Sequence, residues 1–178
     1  MSDRQEAPWS EHAPLDADAF KSLARRWAST VTVVTGRRRG SDALDGFTAT
    51  AFLTVSMDPP IVLVSATVAS SAGALARECD AFTINLLAES QGEVASLFAT
   101  PHERRGDAFA AVAHQRDPAG AALIDGALGA YSASARSLVD AGDHVLLLGD
   151  VTRIWLAATP SAPLLYADRA FRRLGAPV

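Results

Sequence analysis

An aspartate and a histidine at a predicted turn are the side chains best suited to chemistry. Asp143 and His144 follow Gly142 and open an apolar run that is typical of a strand. Histidine changes charge near neutral pH and serves as an acid, a base or a hydrogen-bond partner at many sites. The pair fits two interpretations: a polar residue beside a reaction centre, or a histidine that hydrogen-bonds locally at a strand end.

Hydroxyl side chains inside the apolar stretch 45–71 are the second feature. They are Thr48, Thr50, Thr54, Ser56, Ser65, Thr67, Ser70 and Ser71. Threonine suits strands, so one interpretation is a half-buried sheet with polar residues on its wet face. The alternative is a concave sheet surface that holds a phosphorylated aromatic ligand. The phosphate would then lie at the start of a short helix predicted over Ala72–Arg77, because helix N-termini attract anions.

Other catalytic signatures are missing from the sequence. It has no GxGxxG, Walker A or GxSxG pattern. Its histidines do not fall at paired ligand spacings and the single Cys79 cannot complete a zinc site, so no metal site is predicted. A chain with so few candidate catalytic side chains either binds a ligand or lends its site to a cofactor that carries the chemistry.

Size and composition are typical of a soluble globular protein. For 178 residues we expect a flexible lead over 1–15 and one domain over 16–178. The net charge of -4 gives no reason to propose nucleic acid or an anionic membrane as a partner. Neither a signal-peptide core nor an apolar run of membrane-spanning length is present, so we expect no membrane partner and a cytoplasmic location.

Hydrophobic periodicity predicts a helix followed by a mainly β chain. An apolar stripe from Phe20 to Ala28, with a helix start near Asp16 or Asp18, is expected to pack on the sheet. Strands are predicted over Val31–Thr35, Phe47–Ser56, Ile61–Ala66, Ala81–Leu87, Leu128–Leu138, His144–Leu156 with a bend at Gly149, and Pro163–Tyr166. This succession, without βαβ alternation, favours an antiparallel barrel.

Two further segments have specific expectations. A capping box over Ser90–Glu93 predicts another helix, with Phe98 on its apolar face. Residues 100–127 are expected to leave the sheet and to be able to cover a site. Arg104 and Arg105 in this segment are compatible with contact to a phosphate, but we expect both to be exposed. Asn85, inside an apolar strand, needs hydrogen-bond partners, and structural pairing and ligand contact are equally compatible with it.

The motifs resemble those of a known family. Gly46–Ser56, followed by Asp58–Pro60 and an apolar strand, is similar to the core signature of flavin reductase-like proteins. Gly142–His144, leading into a strand that runs on through Val151, is similar to their GDH motif. The two segments Pro163–Tyr166 and Phe171–Leu174 match their closing region.

The sequence departs from the family pattern at two places. Thr30 stands where a glycine is usual before the first strand. Tyr131–Ala133 stands where many relatives have a cysteine-containing strand, so the cavity wall there is not predicted.

The resemblance implies an FMN-binding split β-barrel, antiparallel and of Greek-key type, that passes hydride from NADH or NADPH to FMN or FAD. It also implies a homodimer and a separate monooxygenase that receives the reduced flavin. The alternative is a flavin-binding module without turnover. His144 would be the catalytic residue that receives the nicotinamide. The implied flavin-binding residues are Thr48, Ala49, Thr50, Ala51, Ser65, Ala66, Thr67, Ser70 and Ser71, with Asn85 and Phe98 completing the pocket.

Overall fold

The computed structural model describes residues 11, 14–159 and 161–176. The helices are α1 (Ala17–Arg25), α2 (Ser71–Glu78), α3 (Gly92–Ala99), α4 (His102–Arg105) and α5 (Ala108–Ala111). The strands are β1 (Ser29–Thr30), β2 (Thr32–Arg37), β3 (Leu44–Ala49), β4 (Phe52–Met57), β5 (Pro60–Thr67), β6 (Ala81–Leu86), β7 (His114–Arg116), β8 (Ala122–Ile124), β9 (Gly129–Ala141), β10 (His144–Leu156), β11 (Leu165–Ala167) and β12 (Ala170–Arg172). Apart from residues 11, 14 and 15, the predicted lead lies outside the described residues. No described helix is both long and apolar enough to cross a membrane.

A seven-stranded antiparallel sheet forms the body of the protein. Its strand order is β3-β2-β6-β9-β10-β5-β4, so two strands that are consecutive in the chain lie at its opposite edges. The two edges meet where β3 passes into β4, and β3 also contacts β5, the strand next to β4. The sheet therefore curls into a split barrel, as predicted.

Helix α2 packs its apolar face against the core of this barrel. Its Leu75 and Ala76 are buried with Val64 of β5, Phe82 of β6 and Val145 of β10. A second core lies on the other face of β2 and β6. There Val33 and Leu87 pack with Phe98 of α3 and Ile124 of β8. Strand β2 is consequently buried on both faces, which accounts for its continuous β-branched run.

The strand predicted over Phe47–Ser56 is wrong as a single element. It breaks at Thr50 and Ala51, because β3 ends at one edge of the sheet and β4 begins at the other. The predicted bend at Gly149 is confirmed by a register shift between Leu148 and Gly149 in the β9–β10 pairing. A Cβ at Gly149 would lie 2.7 Å from Phe82 Cε1, so only glycine fits.

The start of α1 is confirmed and its packing is corrected. Asp16 caps the helix, its carboxylate accepting from the Asp18 N–H at 2.9 Å. The apolar stripe does not pack on the sheet: Phe20, Leu23 and Trp27 are 66%, 73% and 78% exposed. Periodicity shows that one face of a helix is apolar, but it carries no information on what covers that face.

The capping box predicted at α3 does not form. The N-cap is Gln91, and its side chain makes no capping hydrogen bond. Its amide instead accepts from the Ala88 N–H at 3.0 Å and donates to the Asp125 carbonyl at 2.9 Å. Gln91 thus ties the β6–α3 connection to the segment after β8, a long-range role that a local pattern does not reveal.

Candidate active site

A cavity of about 420 Å³ opens where β3, β5 and the start of α2 meet the end of α3. We call it the central cleft. It is lined by Phe47, Thr48, Ser65, Ala66, Thr67, Ala69, Ser70, Ser71, Ala72, Phe98, Ala99, Thr100, Pro101, Glu103, Arg105 and His144. Residues nearly a hundred positions apart in the chain therefore share one surface.

Most of the residues implied by the resemblance lie in this cleft. They are Thr48, Ser65, Ala66, Thr67, Ser70, Ser71, Phe98 and His144. Ala49 is buried in the barrel core instead. Thr50 and Ala51 lie at the corner between β3 and β4, where they line neighbouring cavities.

The structure does not bring Asn85 into the cleft. The side chain is fully buried, and its amide donates to the Val33 and Ala122 carbonyls, each at 3.1 Å. Its Oδ1 accepts from the Ile124 N–H at 2.9 Å. Of the two interpretations, the structure shows structural pairing, which ties β6 to β2 and β8.

The start of α2 places hydroxyl groups and backbone donors at one end of the cleft. Ser70 is the N-cap: its hydroxyl donates to the Thr67 carbonyl at 2.7 Å and accepts from the Gly73 N–H at 3.3 Å. The first N–H groups of a helix have no partner within it, so Ser71 and Ala72 offer donors there. A Cβ at Gly73 would collide with the Thr67 carbonyl oxygen, so only glycine allows this close turn. This end of the cleft suits an anionic group.

Arg105 is buried rather than exposed, which corrects the expectation for this arginine. Its side chain is 2% exposed, and its Nη2 donates to Asp45 Oδ1 at 2.9 Å. The guanidinium carbon lies 5.2 Å from the centre of the Phe98 ring, in cation–π geometry. Arg38 also donates to Asp45, at 2.9 Å. The buried carboxylate thus holds the cation that fixes α4 against the cleft.

One hydrogen-bonding group of Arg105 has no partner. Its Nε is a buried donor without a hydrogen bond among the described residues. Most buried polar groups are paired, so an unpaired one calls for an explanation such as a ligand or an ion. The sequence alone does not separate Arg105 from its neighbour Arg104, since both lie in the same short charged run.

His144 forms a polar chain with residues on either side. Its Nδ1 lies 2.7 Å from Asp143 Oδ1 and its Nε2 lies 3.3 Å from Thr67 Oγ1. A carboxylate only accepts, so Nδ1 carries the hydrogen and a neutral ring presents Nε2 as an acceptor. The hydrogen bond from His144 lowers the pKa of Asp143 below its ordinary value. Thr67 and His144 face each other in the register of β5 and β10.

Comparison with known proteins identifies the family. The sequence model of the flavin reductase-like domain matches residues 24–175. The chain belongs to the flavin reductase-like family. As a family member it has the split barrel predicted from its motifs, and the GDH segment and the hydroxyl-rich strands lie within the matched region.

Three curated relatives show the range of the family. The actinorhodin polyketide dimerase of Streptomyces coelicolor is 31% identical over 89% of this chain and 87% of its own length. An NADH-dependent flavin reductase of a Rhodococcus species is 35% identical over 84% and 81% of the two chains. The reductase component of a 4-hydroxyphenylacetate 3-monooxygenase from Thermus thermophilus is 32% identical over 88% and 96%. Three other relatives are longer, and the chain spans only 60%, 43% and 41% of them.

A solved structure has the same fold. The NADH:FAD oxidoreductase of Streptomyces globisporus C-1027 superposes with a TM-score of 0.84 at 26% identity, over 97% of this chain and 95% of the other. That protein also has a structure in complex with NAD and FAD fragments. This chain thus shares its architecture with a flavin oxidoreductase over nearly its full length.

Proposed function

We propose that this protein is an NAD(P)H:flavin oxidoreductase that reduces FMN or FAD and supplies the reduced flavin to a partner monooxygenase. The observation that carries the proposal is the central cleft, which brings a hydroxyl-lined helix start and His144 onto one surface. The relatives named as an NADH-dependent flavin reductase and as a monooxygenase reductase component support it.

The residues of the cleft fit a flavin mononucleotide. Ser70, Ser71 and the N-terminus of α2 would hold its phosphate. Thr48 and the segment 65–67 would lie along the flat ring system, which needs an apolar surface with a few polar groups. When bound, the flavin supplies N5 as the hydride acceptor.

His144 would position the nicotinamide. As an acceptor, its Nε2 suits an N–H donor such as that of the nicotinamide carboxamide, which would replace the weak contact with Thr67. Asp143 keeps the hydrogen on Nδ1 and fixes the orientation of the ring. No side chain needs to form a covalent intermediate. Aligning the two reactants can by itself lower the activation barrier by roughly 7–11 kcal/mol.

Consumption of NADH and NADPH by the purified protein, with FMN, FAD or riboflavin added, tests the proposal. We expect oxidation of the nicotinamide nucleotide that depends on added flavin. Protein without added flavin and flavin without protein are the controls. A rate no higher than that of flavin alone, for every pair of nucleotide and flavin, would contradict the proposal.

A second candidate is a flavin-binding protein without reductase turnover. The relative named as a polyketide dimerase favours a function other than flavin reduction, since that name does not describe a reductase. Flavin binding measured by fluorescence quenching, together with absent nicotinamide oxidation, would support this second candidate. If His144→Ala lowers the turnover rate far more than it lowers the flavin affinity, the second candidate is excluded.

We propose in addition that the protein is a homodimer. The exposed apolar face of α1, formed by Phe20, Leu23 and Trp27, and the edge strand β4, with Leu53 and Met57 exposed, support an apolar surface covered by a second copy. Light scattering after gel filtration should give a dimer. Leu23→Ser should weaken it and Leu138→Ser, on the β9–β10 hairpin, should not. A wild-type monomer at micromolar concentration would overturn this proposal.

The cytoplasmic location stays a prediction.

A further inference from the structure

Helix α4 and the proline before it form one wall of the central cleft. They contribute Pro101, Glu103 and Arg105 to its lining. The helix is a single turn of four residues and ends at Gly106, whose φ of 64° does not continue a helix. One turn of helix is not stable by itself, because ordering it costs more free energy than its first hydrogen bond returns. The position of this wall therefore depends on the contacts that α4 makes with the rest of the protein.

The polar contacts of α4 converge on one carboxylate, that of Asp45 on β3. The Asp45 side chain is 8% exposed, and its Oδ1 accepts from Arg105 Nη2 at 2.9 Å. His102 Nδ1 lies 3.4 Å from the same oxygen. In the part of the chain that the structure describes, α4 side chains make one other hydrogen bond to a different element, from Arg105 Nη1 to the Phe98 carbonyl at 3.4 Å. Asp45 is consequently the main polar anchor of this helix.

Arg105 depends on Asp45 for the compensation of its charge. No other carboxylate of the described residues lies within ion-pair distance of this guanidinium. Its Nε has no partner there, so the hydrogen bond to Asp45 is the one short hydrogen bond that it makes. A buried charge that loses its counter-ion is unstable and moves towards water. Removal of the Asp45 charge should therefore draw Arg105, and α4 with it, away from the cleft.

Arg38 provides an internal comparison, because it contacts the same carboxylate from another side. Its Nη2 donates to Asp45 Oδ2 at 2.9 Å. The Arg38 side chain is 35% exposed, has a second carboxylate in Glu78 at 3.9 Å, and does not line the central cleft. Loss of Arg38 therefore removes one partner of Asp45 and leaves the contact with α4 in place.

We propose that Asp45 is a positioning residue for the flavin: through Arg105 it holds α4 as a wall of the central cleft and slows flavin dissociation. Asp45 does not line the cleft, so it acts only through the arginine. The inference rests on the proposed function, which places flavin in this cleft. A reductase that passes reduced flavin on has to release it in every cycle, and the opening of such a wall can limit that release.

Limited proteolysis tests the anchoring of α4 without any ligand. Asp45→Asn keeps the shape of the side chain and removes its charge. We expect trypsin to cleave after Arg104 and Arg105 about ten-fold faster in this variant than in the wild type, because cleavage follows the population of the open form. Arg38→Gln is the matched control and should keep the wild-type rate. Fragments are identified by mass spectrometry.

Two results of the proteolysis would overturn the inference. One is the same cleavage rate after Arg104 and Arg105 in all three proteins. The other is an equal rise after Arg153, which lies within β10, because the whole fold rather than α4 would then have opened.

Flavin binding tests the role of the anchored wall. Asp45→Asn and Arg105→Met should each raise the FMN dissociation constant about ten-fold, mainly through faster dissociation, and lower kcat at saturating FMN by no more than about two-fold. The double variant should bind FMN as weakly as either single variant, because residues that act as one unit are not additive. Arg38→Gln should stay within about two-fold of the wild type.

The outcomes separate this inference from the proposed function. Wild-type protein that binds no flavin would refute the proposed function, and the role of Asp45 in the cleft with it. Flavin binding by the wild type, with equal affinity in Asp45→Asn, would refute only the role of Asp45. An additive loss in the double variant, about a hundred-fold, would show that Asp45 does not act through Arg105 and would also overturn the inference.

Discussion

Two clusters of hydroxyl and carboxylate side chains in this protein have similar composition and opposite surroundings. In the buried cluster, Asp117 is 4% exposed and its Oδ2 accepts from the hydroxyls of Thr83 at 2.8 Å and Ser132 at 2.6 Å. Its Oδ1 accepts from the N–H groups of Ala119 and Ala121, each at 2.9 Å. In the cleft cluster, His144 is 43% exposed and joins only Asp143 and Thr67.

The difference separates structural from functional polar groups. Every acceptor of the Asp117 carboxylate is occupied by protein, so this cluster holds the segment before β8 onto β6 and β9 and has no capacity for a ligand. The cleft cluster is exposed and held by one strong and one weak hydrogen bond, so a ligand can replace the weak one. Residue type alone does not distinguish the two clusters. They differ in how many of their hydrogen-bonding groups are paired within the protein and in how exposed they are.

The largest expected effect is the loss of stability on disrupting the buried cluster. Asp117→Ala should lower the free energy of unfolding by about 3 kcal/mol or more, because two buried hydroxyls and two N–H groups lose their acceptor. Urea unfolding followed by circular dichroism measures it. The matched variant Asp143→Ala should change the unfolding midpoint far less, since that carboxylate is exposed. Equal destabilisation by both variants would contradict the distinction between the clusters.

Substitutions in the cleft cluster should lower the reaction rate rather than the stability of the fold. His144→Ala should lower kcat for NAD(P)H oxidation roughly 100-fold, because the nicotinamide loses its orientation, while the flavin dissociation constant changes little. Thr67→Val, which removes the hydroxyl beside Nε2, should have a smaller effect of the same kind, and Thr54→Val on β4 is its control. Unchanged kcat in His144→Ala would remove the histidine from the site.

The α2 N-cap, Ser70, is both a structural and a functional polar group in this comparison. Ser70→Ala should lower the free energy of unfolding by about 1 kcal/mol, because the hydroxyl accepts from the Gly73 N–H. It should also weaken flavin binding several-fold. Ser71→Ala, one residue inside the helix, should weaken binding with no loss of stability. If both variants bind flavin like the wild type, the helix start is structural only.

The smallest effect concerns protonation. The hydrogen bond from His144 lowers the pKa of Asp143, so the folded protein binds this proton less tightly than the unfolded chain. The interaction therefore stabilises the fold above the ordinary aspartate range and is lost as the pH falls through the lowered pKa. Carboxyl NMR should show Asp143 titrating at lower pH in the wild type than in His144→Ala. The same titration midpoint in both proteins would mean that the two side chains do not interact in solution.

Local sequence patterns predicted most of the longer elements, but not the short helices and strands α4, α5, β7 and β8 within residues 100–127. The β-branched run of β2, the helix start at Asp16 and the Gly149 bend are short-range features, and each is found where the pattern placed it. The family motifs implied the cleft residues, and most of them line one cavity. Asn85 lies on β6, which contributes no residue to the cleft. Ala49 follows the cleft residue Thr48 on β3 and lies in the barrel core, because neighbours along a strand point to opposite faces.

Tertiary structure decided what a local pattern has no means of encoding. The break at Thr50 and Ala51 exists because β3 and β4 lie at opposite edges of one curled sheet, an arrangement set by the pairing of distant strands. Arg105 differs from Arg104 only in which of the two reaches Asp45, sixty residues earlier in the chain. The exposed face of α1 shows the same division. The sequence alone determined that this face is apolar, whereas its exposure among the described residues depends on packing between distant segments.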